Sequence, residues 1–272
     1  NDYYDQNLKL NRLKILQSKK LNFKKINIAN KSEIDKIFED ERPNIVIHLA
    51  AQAGVRYSIK YPQKYIDSNI FGFQNVIDNC RKFNVDHFLY ASSSSVYGLN
   101  KETPFSEDHI TDNPANLYGA TKKSNELVAF SYSHLYSLPT TGLRFFTVYG
   151  PWGRPDMAYF KFTKNIIQGK QINVYGNGNM YRDFTYIDDA VTALTNLINI
   201  VPSKKNSNNL KRAPAEIYNI GNNKPESLEN FIQIIESATN LKATKNYMPM
   251  QAGDIYKTSA NINKIKSVID FK

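Results

Sequence analysis

The sequence predicts an α/β fold: a parallel sheet with helices on both faces, followed by a smaller α/β lobe. Three observations lead there. Strand-like and helix-like segments alternate through residues 1–150, several of the strand-like ones are short and nearly continuous in apolar residues, and the texture changes after Gly150. Alternation at this spacing builds βαβ units, whose strands lie parallel and are covered on both faces. Residues 1–150 therefore read as one domain. Residues 151–272 read as mostly a second, ligand-facing lobe, interleaved with the first.

Residues 21–28 are expected as a strand and 31–40 as a short helix. Residues 44–49 (NIVIHL) form the apolar run of a strand buried on both faces. From 62 to 83 apolar residues recur at helical spacing, which turns Ile66, Ile70, Phe73, Val76 and Ile77 inward. Residues 86–91 (DHFLYA) are the next strand, 114–136 a long helix and 140–146 another strand. Beyond Gly150 the loops lengthen, and Gly and Pro cluster. Two helices stand out there, over 187–199 and 227–239, the second with Ser227 as its N-cap. The polar run 203–209 reads as a surface loop, and no internal repeat is visible.

The 272 residues carry 35 Lys and Arg against 25 Asp and Glu, a formal charge of +10. Hydrophobic residues make up 41%, enough for a substantial core, so wholesale disorder is excluded. No apolar run approaches the ~18 residues of a membrane span, so no membrane partner is expected. The opening NDYYDQNLKL lacks the basic and apolar regions of a signal peptide, so none is expected. A single cysteine, Cys80, forms no internal disulfide, which fits a reducing, cytoplasmic setting. It also rules out a zinc site built from several thiolates, and no metal is expected. Basic residues fall as pairs (Lys24-Lys25, Lys122-Lys123, Lys204-Lys205) and not as a block interleaved with aromatics. Nucleic acid is therefore not an expected partner; an anionic small molecule in a positive cleft is.

In an open parallel sheet, ligands sit beyond the carboxyl ends of the strands. Three segments lie at or near such ends. Ala50-Ala51-Gln52-Ala53-Gly54 is small enough to let a ligand approach the backbone, or equally to pack a strand tightly on a helix. Ser92-Ser93-Ser94-Ser95-Val96-Tyr97-Gly98 offers four hydroxyls to a ligand, though a serine run is also an ordinary loop. Tyr118 and Lys122, four residues apart, share a helix face. A phenol is a poor base at its ordinary pKa near 10, and a neighbouring ammonium lowers that value. Such a pair can take a proton from an alcohol and return it. Alone the Tyr-x-x-x-Lys spacing is a weak signal. Its weight comes from lying 25 residues after Ser93 in a βαβ pattern.

The longer strings are more specific. AAQAGVRYS (50–58), SSSSVYG (92–98), LYGATKKSNE (117–126), LRFFTVYGPWGRPDMA (143–158) and RDFTYIDD (182–189) resemble the extended short-chain dehydrogenase/reductases, in their nucleotide-sugar epimerase and dehydratase group. Within that group the chain is most similar to the UDP-glucuronate 4-epimerases, nearly end to end. The resemblance implies a Rossmann-like sheet, NAD as cofactor and a UDP-sugar as substrate. It implies that Tyr118 is the acid/base, that Lys122 lowers its pKa and holds the nicotinamide ribose, and that Ser93 bonds the sugar 4-hydroxyl beside Ser94 and Ser95. Leu49, Ala50, Ala51 and Gln52 would line the cofactor, with Asn69 and the Phe145 backbone helping to orient it. Arg182 would face the diphosphate, Thr147 and Arg154 would recognise a carboxylate on C5, and Arg56 is a further anion contact. Relatives pair through a four-helix bundle, here the helices near 62–83 and 114–136, so a homodimer is expected.

The chain departs from the pattern in several respects: the acidic residue at the end of the second strand is absent, and Asn27 stands where relatives usually carry Asp, which weakens one contact near the adenine. The Gly-x-x-Gly-x-x-Gly turn that normally cradles pyrophosphate is absent, and the first glycine is Gly54. The expectation is a chain missing the N-terminal βαβ portion, with 1–150 a truncated NAD-binding domain. The alternatives are a 4-epimerase of UDP-glucose or a UDP-N-acetylhexosamine, or an inactive truncated fragment that only binds nucleotide sugar. A sugar 4,6-dehydratase is disfavoured, because it places Asp-Glu where Ser94 and Ser95 stand.

Overall fold

The structure, a computed structural model, describes residues 2–19, 21–204 and 213–271. In chain order the elements are α1 (Gln6–Gln17), α2 (Lys31–Glu41), β1 (Ile45–His48), α3 (Val55–Lys60), α4 (Pro62–Tyr65), a π-helical turn Ile66–Phe71, α5 (Gly72–Lys82) and β2 (His87–Ser93). After them come α6 (Leu117–Tyr136), β3 (Thr140–Phe145), β4 (Thr147–Tyr149), α7 (Ala158–Ile167), β5 (Ile172–Val174), β6 (Tyr181–Tyr186) and α8 (Ile187–Ile198). β7 (Ala215–Ile220), β8 (Pro225–Ser227), α9 (Leu228–Thr239), β9 (Lys245–Tyr247) and α10 (Asn263–Lys266) complete the fold.

The main sheet has the order β1-β2-β3-β7, with every pair parallel. Successive side chains of a strand point to opposite faces, and β2 shows the result. Phe88 and Tyr90 enter a core with Phe73, Ile77 and Ala129 of α5 and α6. Leu89 enters a second core with Leu143, Ala193 and Leu197, the last two from α8. Helices thus cover both faces. A third, smaller cluster (Ile166, Ile172, Val174, Ile232, Ile235) holds α7, α9 and β5 together as the lobe.

Several elements differ from the sequence reading. Residues 21–28 belong to no strand, and Ile28 already lies in a turn closed by the Asn30 N–H donating to the Asn27 carbonyl at 2.9 Å. Ile26 and Ile28 still pack on the core of α5. The run 44–49 is not buried on both faces. Among the described residues β1 pairs only with β2, and Ile45 and Ile47 are 42% and 37% exposed. Its covered face carries Val46 and His48, the latter against the rings of Phe73 and Phe88. The main sheet also takes its fourth strand from residues 215–220, which the sequence reading did not mark. α1 and α7 were not marked either; α1 buries no residue and so has little apolar periodicity to read. Most of the polar run 203–209 lies outside the described residues.

Local signals account for the ends that matter. Asn116 caps α6, its Oδ1 accepting the Gly119 N–H at 2.9 Å. Ser227 caps α9, accepting from the Asn230 N–H at 3.1 Å. Below the sheet's carboxyl edge lies a buried polar network. Arg144 of β3 donates through Nε and Nη2 to the two oxygens of Glu126 on α6, both at 2.9 Å. Ser92 of β2 donates to Glu126 Oε1 at 2.5 Å. Arg144 Nη1 also donates to the Tyr97 hydroxyl at 3.0 Å, which donates to Asn219 of β7 at 2.6 Å. Arg144 and Glu126 are 3% and 4% exposed, so each depends on the other for charge balance.

Removing one member leaves an uncompensated buried charge. Arg144→Met is expected to lower the unfolding free energy by about 3–5 kcal/mol. Adding Glu126→Leu should recover part of that loss; urea titration of both variants checks it.

Candidate active site

The site grows from the carboxyl ends of β1, β2 and β3. Where β2 ends, Ser93 Oγ accepts the Ser95 N–H at 3.2 Å and the chain enters a 3₁₀ turn over Ser94–Tyr97. The first turns of α6 lie directly on this turn. A Cβ at Gly119 would sit 2.6 Å from the Ser95 carbonyl oxygen, so only glycine allows the approach. That contact brings the neighbouring Tyr118 over the strand end. Ser93 lies near enough to act on its phenol as a hydrogen-bonding group, and Tyr65 is edge-on at 6.2 Å between ring centroids. One helical turn on, Lys122 is 2% exposed and donates from Nζ to the Ala91 carbonyl at 2.9 Å.

Burial sets the electrostatics. It raises the Tyr118 pKa, and the Ser93 hydrogen bond and the charge of Arg154 only partly offset it. The expectation that Lys122 acidifies the phenol is not met here. Burial pushes the ammonium itself down to about 8, and the cation acting on Tyr118 is Arg154. His48, at the end of β1, is pushed down to about 3 by burial and then by the positive Lys122.

Tyr118 and Lys122 open on a cleft of about 440 Å³ that also receives Leu49, Ala51, Ser93, Ser94, Ser95, Phe145, Thr147, Arg154 and Arg182. It adjoins a larger cleft of about 810 Å³ bounded by Arg56, Lys161, Phe162 and Phe231, with Arg154 and Arg182 bordering both. Two expected cofactor residues sit otherwise. Ala50 is exposed outside the smaller cleft, and Gln52 is buried behind it. Asn69, in the π-helical turn, accepts the Gln52 N–H at 2.7 Å and donates to the Gln52 carbonyl and to Thr121 Oγ1, each at 3.0 Å. Its amide is therefore spent on holding the 50–54 loop against α6. Ser92 is committed to Glu126, which leaves Ser93 as the serine that addresses the phenol.

The arginines arrive with carboxylates beside them. Arg154 donates to Asp156 through Nε at 3.0 Å and Nη2 at 2.5 Å, and the Tyr3 hydroxyl donates to the same carboxylate at 2.9 Å. Arg56 lies 3.1 Å from Asp254. Arg182 donates to the carbonyls of Tyr181 at 2.8 Å and Tyr256 at 3.2 Å. Burial lowers its pKa, Asp254 opposes the shift and Arg56 adds to it. Sequence reasoning missed Tyr3 and Asp156. The Arg-Pro-Asp spacing hints at the second, and nothing in the sequence points to the first. Among the described residues no group of three or more His, Cys, Asp or Glu could hold a metal ion, and no helix is long and apolar enough to cross a membrane.

Residues 3–221 match the model of the NAD dependent epimerase/dehydratase family. The chain is 53% identical over its whole length to protein CapI of Staphylococcus aureus, covering 84% of that protein. It is 44% identical over 99% of its length to a probable UDP-glucuronate 4-epimerase of Rhizobium meliloti, covering 82% of it. Its structure superposes with a TM-score of 0.83 on the UDP-glucuronic acid 4-epimerase of Bacillus cereus solved with UDP-glucuronic acid and NAD. That likeness is at 34% identity and covers 94% of this chain and 79% of the other.

The buried imidazole beside Lys122 has a pH signature. Its folded pKa, about 3, lies below the ordinary 6.5, so between those values the unfolded chain binds the extra proton. Stability from this group is full above 6.5 and is lost as the pH falls, by about 1.4 kcal/mol per unit. His48→Leu should lose about 2 kcal/mol less than the parent between pH 6.5 and 5.0. Paired urea titrations at the two pH values measure the difference.

Proposed function

This chain belongs to the NAD-dependent epimerase/dehydratase family, and on that footing we propose that it interconverts UDP-glucuronate and UDP-galacturonate by inverting C4. The broader activity, 4-epimerisation of a nucleotide sugar with NAD, is what its relatives carry. The observation that supports the finer reading most is that one cleft is lined by Tyr118, Ser93, Thr147 and Arg154 together. A proton-transfer group and a cation suited to a carboxylate thus share a single small-molecule cavity.

The residues present fit the nicotinamide-ribose end of NAD. Lys122 is a buried ammonium with one hydrogen bond among the described residues, to Ala91, and it borders the cleft. Two of its three donors are left for ligand hydroxyls. Ala51, Ala53 and Gly54 leave the cleft wall without bulk. Among the described residues no glycine-rich turn stands ready for the pyrophosphate.

When bound, NAD supplies the redox chemistry, accepting a hydride from C4 of the sugar and returning it to the opposite face. This chain's part is to move and hold protons and to orient. Ser93 holds the C4 oxygen against Tyr118. The phenolate takes the hydroxyl proton as the carbonyl forms and returns it when the ring has turned over. Arg154 stabilises the phenolate electrostatically, and Lys122 positions the ribose. The 4-keto sugar is a β-keto acid when C5 carries a carboxylate, so it can lose carbon dioxide. Thr147 and Arg154 hold that carboxylate so that the C–CO₂ bond is poorly aligned for loss. Arg182 and Arg56 take the diphosphate in the larger cleft.

A cytoplasmic location and a homodimer belong to the same proposal. Cys80 is a buried free thiol, as suits a reducing setting. Along α6, Leu127 and Phe130 are exposed at helical spacing, which supports pairing through the α5 and α6 faces.

Tyr118→Phe is expected to lower kcat by about 10²- to 10⁴-fold while UDP-sugar binding persists; product analysis with UDP-glucuronate and UDP-glucose tests both the chemistry and the substrate. Arg154→Met should slow epimerisation of UDP-glucuronate and release a UDP-pentose. Unchanged epimerisation with no pentose would remove Arg154 from the role assigned to it.

A further inference from the structure

Resting on the UDP-glucuronate reading, we infer that Tyr3 and Asp156 are positioning residues that set the charged-substrate preference of the site by fixing the plane of the Arg154 guanidinium. An arginine side chain left free gives up about 2 kcal/mol of rotamer entropy when it is ordered on a ligand. Here the ordering is done in advance. Asp156 grips Nε and Nη2 side-on at 3.0 and 2.5 Å, which fixes the plane of the fork and leaves three of its five N–H donors for the cleft.

Asp156 sits two residues from Arg154 and would otherwise move with the same loop. Its anchor comes from the far end of the chain, where the Tyr3 hydroxyl donates to Oδ2 at 2.9 Å. Two further contacts hold that anchor. The Tyr3 ring packs edge-on to Tyr57 at 4.7 Å, and Arg12 of α1 donates to the carbonyls of Trp152 and Gly153 beside the arginine. Space for the hydroxyl comes from Gly54, at φ 105°, where a Cβ would collide with the Tyr3 oxygen. Tyr3 thus joins the 50–54 loop on the cofactor side to the 150–156 loop on the sugar side, and both Tyr3 and Asp156 border the larger cleft.

The sign of one substitution separates positioning from charge. Asp156→Asn removes a negative charge beside Arg154, so a purely electrostatic role predicts tighter binding of a uronate. Positioning predicts weaker binding. The experiment is calorimetric titration of NAD-loaded protein with UDP-glucuronate and with UDP-glucose, for the parent, Asp156→Asn, Asp156→Glu and Tyr3→Phe. Asp156→Asn should weaken UDP-glucuronate by about tenfold and Tyr3→Phe by about threefold, the worth of one hydrogen bond. UDP-glucose should change by less than twofold in both, and Asp156→Glu should restore part of the affinity. Tyr3→Phe keeps ring and charge, so it carries the test even where Asp156→Asn unfolds. Equal weakening of both sugars, no change in Tyr3→Phe, or tighter UDP-glucuronate in Asp156→Asn overturns the inference alone. A parent protein with no preference for UDP-glucuronate overturns the substrate reading and the inference with it.

Discussion

One packing constraint underlies the site: the N-terminal half of α6 must lie against the carboxyl end of β2 at fixed depth. Tyr118 reaches Ser93 and Lys122 reaches the Ala91 carbonyl only at that depth. Two features set it. Gly119 lets the helix backbone touch the Ser95 carbonyl. One turn beyond Lys122 the helix face continues into Asn125 and Glu126. Asn125 donates to the Asn69 carbonyl at 2.7 Å, and Glu126 is clamped by Ser92 and Arg144. The buried ion pair is a poor source of net stability compared with a well-packed apolar pair. Its value is geometric, since a bidentate pair tolerates little sliding between helix and sheet. Ser92, which it grips, precedes the serine that meets the phenol.

The same burial that fixes this geometry shapes the charges. Desolvation penalises the charged form of every group, so it raises the phenol and lowers the ammonium and imidazole together. Tyr118 is held as a phenol, His48 as a neutral ring and Lys122 near the edge of its charged state. Without ligands such a site holds a phenol, so the phenolate that the proposed function uses as base forms only in the liganded site. Charge brought by ligands then decides when the proton moves. Arg154 is the resident cation that already offsets burial at Tyr118; in the function proposed above, that would couple recognition of the sugar's anionic group to the reactivity of its C4 oxygen.

How much of this the sequence disclosed follows from what holds each part in place. Strands and helices whose periodicity reflects burial were legible: β2, β3, α2, α6, α8, α9 and the helical stretch from α4 through the π-helical turn to α5 lie within a few residues of where the apolar pattern puts them. β1 was legible as a strand but not in its environment, because an apolar run does not reveal which neighbours are present. The main-sheet strand β7 and the helix α1 were not legible, the first for its long distance from its partner β3 and the second for its lack of a buried face. In the site, type and spacing singled out Tyr118 and Lys122, the resemblance picked Ser93 from its run of four serines, and the structure brings all three to one cleft. Asn69 was assigned to the cofactor, yet its π-helical turn aims it at the loop that borders the cleft. Ser92 and Ser93 are chemically identical in the sequence, and only the opposite directions of adjacent strand side chains separate their roles.

The arginines carry the last step. A chain of net charge +10 with three guanidinium groups at its clefts could bind any anion. In this fold each of two has a carboxylate of its own, Asp156 on Arg154 and Asp254 on Arg56, while Arg182 is satisfied by the backbone carbonyls of Tyr181 and Tyr256. A pre-paired arginine offers little to a stray ion, because the strongest donor geometry is already taken. It still offers its outer N–H groups to an anion delivered at the correct place by the rest of a large ligand. Selectivity then comes from simultaneous fit at several weakened cations, which a nucleotide sugar with a diphosphate and a carboxylate can achieve and an isolated anion cannot. The carboxylates that reduce the raw charge of the cleft are therefore part of its recognition chemistry, and they explain why the chain's net basicity says so little by itself about what it binds.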